Sequence, residues 1–243
     1  MILIIIGIGI SLMMLERLIP DQKLPHVPGW WTRVIIINVI QLGIVILASY
    51  TWDVWLKKVS LFSLSAHVND FIGGLTAYII VTFVFYWWHR WRHDINFLWL
   101  TFHQLHHSPQ RIETITSFYK HPAEIICNSV IIGSITFLIL GMSIESAGYC
   151  ILLSSIGEYF YHMNIKTPHW LGYIFQRPEM HRIHHQRSRH YNNFSDLPIW
   201  DMLFGTFENP RERDMLCGFK PEREQKLLDM MQFKNVNNAY HTK

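Results

Sequence analysis

Residues 71–93 read FIGGLTAYIIVTFVFYWWHRWRH: an uncharged run from Phe71 to Trp88 that passes directly into His89-x-x-x-His93. The run approaches the ~20 residues a helix needs to cross a hydrocarbon core of roughly 30 Å, so a histidine pair stands at the end of a membrane span. On either side of this stretch, Val34–Trp52 and Ile125–Ile144 are uncharged runs of similar length, and Met1–Leu15 is a shorter one. Ser146–Ile165 is apolar except for Glu158 and His162 near its end. Trp30, Trp31, Trp52, Trp87 and Trp88 mark the ends of the runs, as an interfacial aromatic belt would. Met1–Leu15 lacks a basic leader and a small-residue cleavage site before Glu16-Arg17, so it reads as an uncleaved anchor.

The expected fold is therefore all-α. It is a polytopic transmembrane helix bundle of four to five spans (about 1–19, 34–52, 71–88, 125–144 and 146–165) in a single domain, 1–243. A cytosolic helical cap, 89–124 and 166–243, would hold a histidine-rich dimetal site. Half the residues are apolar and 16% are charged, with a net charge of only +3, which excludes a disordered chain and a nucleic-acid partner. Cys127, Cys150 and Cys217 form no CxxC pair, which removes a zinc ribbon and a disulfide framework. Of the 21 Lys and Arg, only Lys57 and Lys58 fall in the loop 53–70, so the positive-inside rule assigns the other loops to the cytosol. Pro25–Gly29 reads as a loop, and the chain from about Pro221 as an amphipathic helix carrying Leu227, Leu228 and Met231.

Six of the fifteen histidines lie in two matching pentapeptides, His103-x-x-His106-His107 and His181-x-x-His184-His185, which join His89-x-x-x-His93. On a helix, positions i, i+3 and i+4 share a face, so each motif projects its imidazoles together. A lone histidine such as His26 is an ordinary boundary residue. Eight imidazoles packed together without metal would be poorly hydrogen-bonded and would repel one another once charged. Between the second and third motifs the chain crosses the bilayer twice, so all eight can meet at one end of the bundle; an odd number of crossings would separate them. His162 falls at the same end and adds a ninth candidate ligand, with Glu158 one turn before it as a carboxylate ligand or hydrogen-bond acceptor. Eight or nine ligands exceed the three or four of one zinc ion and suit two metals. Neutral histidines leave the ions strongly positive and favour anionic oxygen species, which suggests iron and dioxygen, with zinc not excluded by ligand type.

The motif set resembles the fatty acid hydroxylase/sterol desaturase superfamily of histidine-box membrane di-iron oxygenases. Tyr119-Lys-His121-Pro122-Ala-Glu124 is similar to the family's His-Pro-x-Glu segment. Met180-His181-Arg-Ile-His184-His185 is similar to its third box, and Ile199-Trp200-Asp201-Met-Leu-Phe204-Gly205-Thr206 to its C-terminal signature. The resemblance implies two iron ions held by His89, His93, His103, His106, His107, His181, His184 and His185, with His162 as the additional histidine. Zinc is a possible substitute in purified protein. Some relatives carry a histidine where Glu158 stands. No catalytic residue separate from the ligands is implied. The implied chemistry is dioxygen-dependent hydroxylation of an aliphatic C–H of a membrane lipid (fatty acyl, sterol or related), with desaturation as the alternative outcome.

Carboxylates and amides that orient ligating imidazoles are expected close by, with Asp201 first and Glu124, Glu179, Asp94 and Asn164 after it. His121 and His190 are candidates for extra ligands or for contacts behind the ligands. The chain has no Fe–S cysteine set, no dinucleotide motif and no haem domain. Electrons are therefore expected from an external donor of the cytochrome b5, ferredoxin or rubredoxin type. Short length and the missing haem domain favour a bacterial inner membrane over the endoplasmic reticulum. A zinc-dependent intramembrane hydrolase fits poorly because no HExxH is present. A metal transporter fits poorly because the clusters sit at helix ends without repeated halves.

Overall fold

A computed structural model describes residues 1–189, 191–211 and 215–237. Among these the chain is helical, and the only extended pairing is a single bridge between Gln186 and Cys217. The long elements are α1 (Ile2–Leu18), α2 (Trp30–Tyr50), α4 (Asp70–Asp94), α6 (Pro122–Gly133) with its π-helical continuation Ser134–Ile139, and α7 (Ile144–His162). Short α3 (Trp52–Lys58) continues α2 after a break at Thr51, and α5 (Asn96–Leu98) leads into a π-helical turn, Trp99–His103. The remaining helices are α8 (Pro178–His184), α9 (Pro198–Phe204), α10 (Pro221–Glu224) and α11 (Leu227–Met231).

Among the described residues, three helices are long and apolar enough to cross a membrane: Trp30–Lys58, Asp70–Asp94 and Pro122–Ile139. Ile35, Ile36, Val39 and Leu47 of α2 and Leu3, Ile4 and Ile10 of α1 are exposed, a larger apolar surface than water tolerates on a soluble monomer. The expected run 125–144 ends early, at Ile139. There Gly141 takes a left-handed φ of 62°, and a Cβ on it would lie 1.8 Å from the Phe62 carbonyl oxygen. Ser143 then caps α7 by accepting from Ser146 N at 2.9 Å.

Helix direction follows from the end contacts. Asp70 at the start of α4 accepts from Ser143 Oγ at the start of α7, so these two helices run parallel, and they form the most extensive helix pair. α6 runs opposite to α4 and α7 and parallel to α2: Trp30 meets Tyr119 where both helices begin, and Trp52 Nε1 donates to Ser129 towards their C-terminal ends. The C-terminal turn of α1 is tied to the histidine-bearing end, where Glu16 Oε2 accepts from Thr114 N and Asn164 N at 3.0 Å each. Trp30, expected in the interfacial belt, is instead buried and donates to Glu113 at 2.9 Å.

The C-terminal helix expected from Pro221 is split at Gln225–Lys226. A straight helix would point residues six apart about 120° away from each other. The break lets both Glu224, which bonds Arg33 and Gln110, and Met230 face inward.

Candidate metal centre

Nine histidines converge at one end of the bundle in two adjacent groups. His89, His93, His103, His107 and His184 form one, and His106, His162, His181 and His185 form the other. Within each group the nitrogens lie within 4.8 Å of one another. The groups touch where His107 stacks on His185 at 4.2 Å between ring centroids. These nine are the full set expected as ligands, drawn from α4, from α7, from α8 with the residue after it, and from the π-helical turn Trp99–His103 with the turn that follows it.

Helical geometry explains the partition. Residues i and i+4 differ by about 40° around a helix, whereas i+3 lies about 100° from i+4. Accordingly His89 and His93, and His103 and His107, each fall in the five-histidine group, and His181 and His185 fall in the four-histidine group. The i+3 member of each HxxHH, His106 or His184, turns into the opposite group. Each pentapeptide therefore links both groups, with the roles exchanged between the two copies.

The rings are oriented from behind. The Phe194 carbonyl lies 2.7 Å from His89 Nδ1, and the Asn192 carbonyl 2.7 Å from His184 Nδ1. The Glu158 carbonyl lies 2.8 Å from His162 Nδ1. A carbonyl only accepts, so in each ring Nδ1 carries the proton and Nε2 presents its lone pair. Nε2 of His89 is buried with no hydrogen-bond partner, as is Nδ1 of His106. His181 Nε2 stands 3.0 Å from both His162 Nε2 and His185 Nε2, and His103 Nε2 is 3.1 Å from His107 Nε2. Two nitrogens on bonds of about 2.1 Å at right angles to one ion would be about 3.0 Å apart. Burial, orphaned nitrogens and spacing all fit metal ions.

His103 Nδ1 is approached differently. It lies 3.4 Å from Glu124 Oε2 and 3.1 Å from Arg92 Nη1, and Arg92 and Glu124 form a buried ion pair. Glu124 is thus the expected carboxylate that does reach a ring of the site. Arg92 gave no signal beyond its place inside His89–His93.

Asp201 meets no ring; it accepts from Phe194 N, Ser195 N and Thr206 Oγ1. Glu158 lies outside both groups because Lys120 Nζ holds its carboxylate at 2.6 and 2.8 Å, and its carbonyl, not its side chain, meets His162. His121 caps α6 through Ala123 N, Asn164 bonds Gln22 and Arg182, and Glu179 is held by Thr167 and Arg177. Asp94 pairs with Arg90 at the surface. His190 lies outside the described residues.

Burial holds the imidazoles of His103, His106 and His181 well below their ordinary range, and that of His184 at about 3. These rings stay neutral in the folded chain but take up protons when unfolded below the ordinary imidazole value of about 6.5. Their contribution to stability is therefore present above that pH and is lost as pH falls towards about 3, by up to about 1.4 kcal/mol per pH unit per ring. Burial also pushes Asp196 and Asp201 up to about 7 and raises Glu224, and these carboxyls work in the opposite direction. The imidazole share is isolated by removing one ring: in metal-free protein in detergent, His184→Ala is expected to make stability, read by tryptophan fluorescence, fall less steeply below about pH 6, by up to about 1.4 kcal/mol per pH unit. An unchanged pH dependence would contradict this arrangement.

The fatty acid hydroxylase family model matches residues 74–206, a stretch that includes all three histidine motifs. The human alkylglycerol monooxygenase is 30% identical over 144 residues, covering 57% of this chain and 31% of that protein. An ornithine lipid hydroxylase of Rhizobium tropici is 31% identical over 136 residues (54% and 40%). A sphinganine C4-monooxygenase of Arabidopsis thaliana is 28% identical over 159 residues (64% and 60%). The chain spans only 31% to 60% of the length of these three relatives. No solved structure matches it significantly. The relatives are named monooxygenases and hydroxylases, and the family model covers more than half of the sequence: the chain belongs to the fatty acid hydroxylase family.

Proposed function

We propose that this protein is a membrane di-iron oxygenase that hydroxylates an aliphatic C–H of a lipid. Dioxygen would be the oxidant, with electrons from an external donor of the cytochrome b5, ferredoxin or rubredoxin type. One observation carries the reading: nine imidazoles, seven of them buried, sorted into two touching groups at one end of an apolar bundle. Two bound irons would supply dioxygen reduction and C–H oxidation.

The chain's own part is to hold and orient. Carbonyls of Asn192, Phe194 and Glu158 fix the protons of three rings on Nδ1. The Arg92–Glu124 pair sets His103, and the Lys120–Glu158 pair keeps a carboxylate away from the four-histidine group. Phe194 and Trp99, both buried, pack against the five-histidine group and limit the access of water.

In this reading α1, α2, α4, α6 with its π-helical end, and α7 all cross the bilayer within one domain. The histidines then lie on the cytosolic side, with a bacterial inner membrane as the setting. The lipid substrate enters from the membrane.

The test is mass spectrometry of lipids from cells with and without the chain, and from iron-loaded protein given dioxygen and a reductant. A product heavier by one oxygen is expected. A product lighter by two hydrogens would make it a desaturase. Turnover without dioxygen would replace the proposal with a hydrolase.

A further inference from the structure

The two histidine groups are braced largely by different parts of the chain. In the four-histidine group, His162 is oriented by the carbonyl of Glu158, four residues earlier on α7, so the helix braces itself. In the five-histidine group, His89 at the end of α4 and His184 at the end of α8 are both oriented from one loop, by the Phe194 and Asn192 carbonyls. One residue separates the two carbonyls, and it bends the backbone. That residue is Asn193, with φ 58° in the left-handed region, where asparagine is better tolerated than most residues. Its own carbonyl accepts from Gln176 Nε2 at 2.9 Å, and the same nitrogen lies 3.1 Å from Nδ1 of His181 in the four-histidine group.

The position of the loop is set from outside. Asp201 supplies that hold. Its Oδ1 accepts from Phe194 N at 2.8 Å and from Thr206 Oγ1 at 2.7 Å, and its Oδ2 accepts from Ser195 N at 3.0 Å.

We propose that Asp201 is a positioning residue chiefly for the five-histidine group, acting through the loop Asn192–Ser195, which reaches the other group only at one remove, through Gln176. The carboxylate pins two amides, the pinned loop presents two carbonyls, and the carbonyls keep the Nε2 lone pairs of His89 and His184 turned to the metal. An Asp201→Asn side chain has the same size but replaces one acceptor with a donor, so one N–H must face another and the loop must shift. This inference rests on the reading that each group binds a metal.

The experiment uses the full-length protein in detergent, loaded with zinc and titrated with a chelator, with bound metal counted. Wild type is expected to release two zinc ions per chain. Asp201→Asn should release one of them at about 10- to 100-fold lower chelator concentration, the usual effect of losing the groups behind a ligand, and shift the other by less than about fivefold. A His106→Ala chain, whose five-histidine group is intact, identifies which release has moved. Thr206→Val, which keeps both amide bonds to Asp201, should change release by less than about threefold. If Asp201→Asn does not fold, Asn193→Ala strains the same loop at its left-handed residue and should weaken the same single ion. Fewer than two zinc ions in wild type would overturn the metal reading itself. Two ions in wild type with both releases shifted equally, or neither shifted, would overturn the role of Asp201.

Discussion

Replacing His106 with alanine is expected to abolish turnover and to strip metal more completely than replacing His184. His106 belongs to a group of four imidazoles and His184 to a group of five. Truncation leaves three donors in the first case and four in the second, and four remain enough to hold a divalent ion. Loss of a residue behind a ligand already costs about 10- to 100-fold in affinity or activity, so loss of a ligand should cost more than about 100-fold in turnover for either variant. Metal analysis should show His106→Ala retaining about one ion per chain, whereas His184→Ala retains a second, weakly held ion. His26 is exposed and belongs to neither group, so His26→Ala should match wild type in both respects. Equal metal content in all three variants would show that the histidines are not ligands.

Much of this site was legible in the sequence because it rests on two periodicities. The 3.6-residue helix places i, i+3 and i+4 on one face, and the length of a bilayer-spanning helix fixes which motifs share an end. Together they predict that residues as far apart as His89 and His185 meet, and the structure brings all nine histidines together. Their division into groups was implicit in the same geometry, since i and i+4 are the closest pair around the helix, yet it shows only when the helices are set against each other.

What had no sequence signature is the bracing. Three rings are oriented by backbone carbonyls, and a carbonyl is present at every residue. Glu158 illustrates a different difficulty. A carboxylate one turn before a histidine can equally be a ligand or the partner of a cation, and only the fold brings Lys120 within 2.6 Å of it. Arg92 was similarly ambiguous. An arginine within a histidine motif at a membrane boundary reads as a solvated group, but it is buried with Glu124 beside His103.

The site also depends on a contact far from any histidine, and Gly74→Val is expected to remove metal and folded protein together. α4 and α7 run side by side, and each delivers histidines at its C-terminal end: His89 and His93 to one group, His162 to the other. At their opposite ends Gly74 allows the close approach. A Cβ there would lie 2.4 Å from Tyr149 Cβ, 2.8 Å from the Ser146 carbonyl oxygen and 3.3 Å from Cys150 N. Two of those atoms are backbone, so no rotamer change relieves the clash and the helices must separate. Small residues at such crossings are how membrane helices gain their packing, and overfilling a packed contact costs typically 1–3 kcal/mol, more when backbone must move. Gly74 lies fifteen residues before His89, about 22 Å along the helix, so a wedge there tilts α4 against α7 and displaces one histidine group from the other. Gly43 of α2 provides the contrast: a Cβ added there meets nothing within 4 Å. Gly43→Ala should therefore be neutral or should stabilise by about 0.5–1 kcal/mol, the gain of replacing glycine within a helix. Thermal unfolding in detergent with metal analysis distinguishes the two variants. A Gly74→Val protein that retained both metals and a normal melting temperature would show that the α4–α7 approach does not set the distance between the groups.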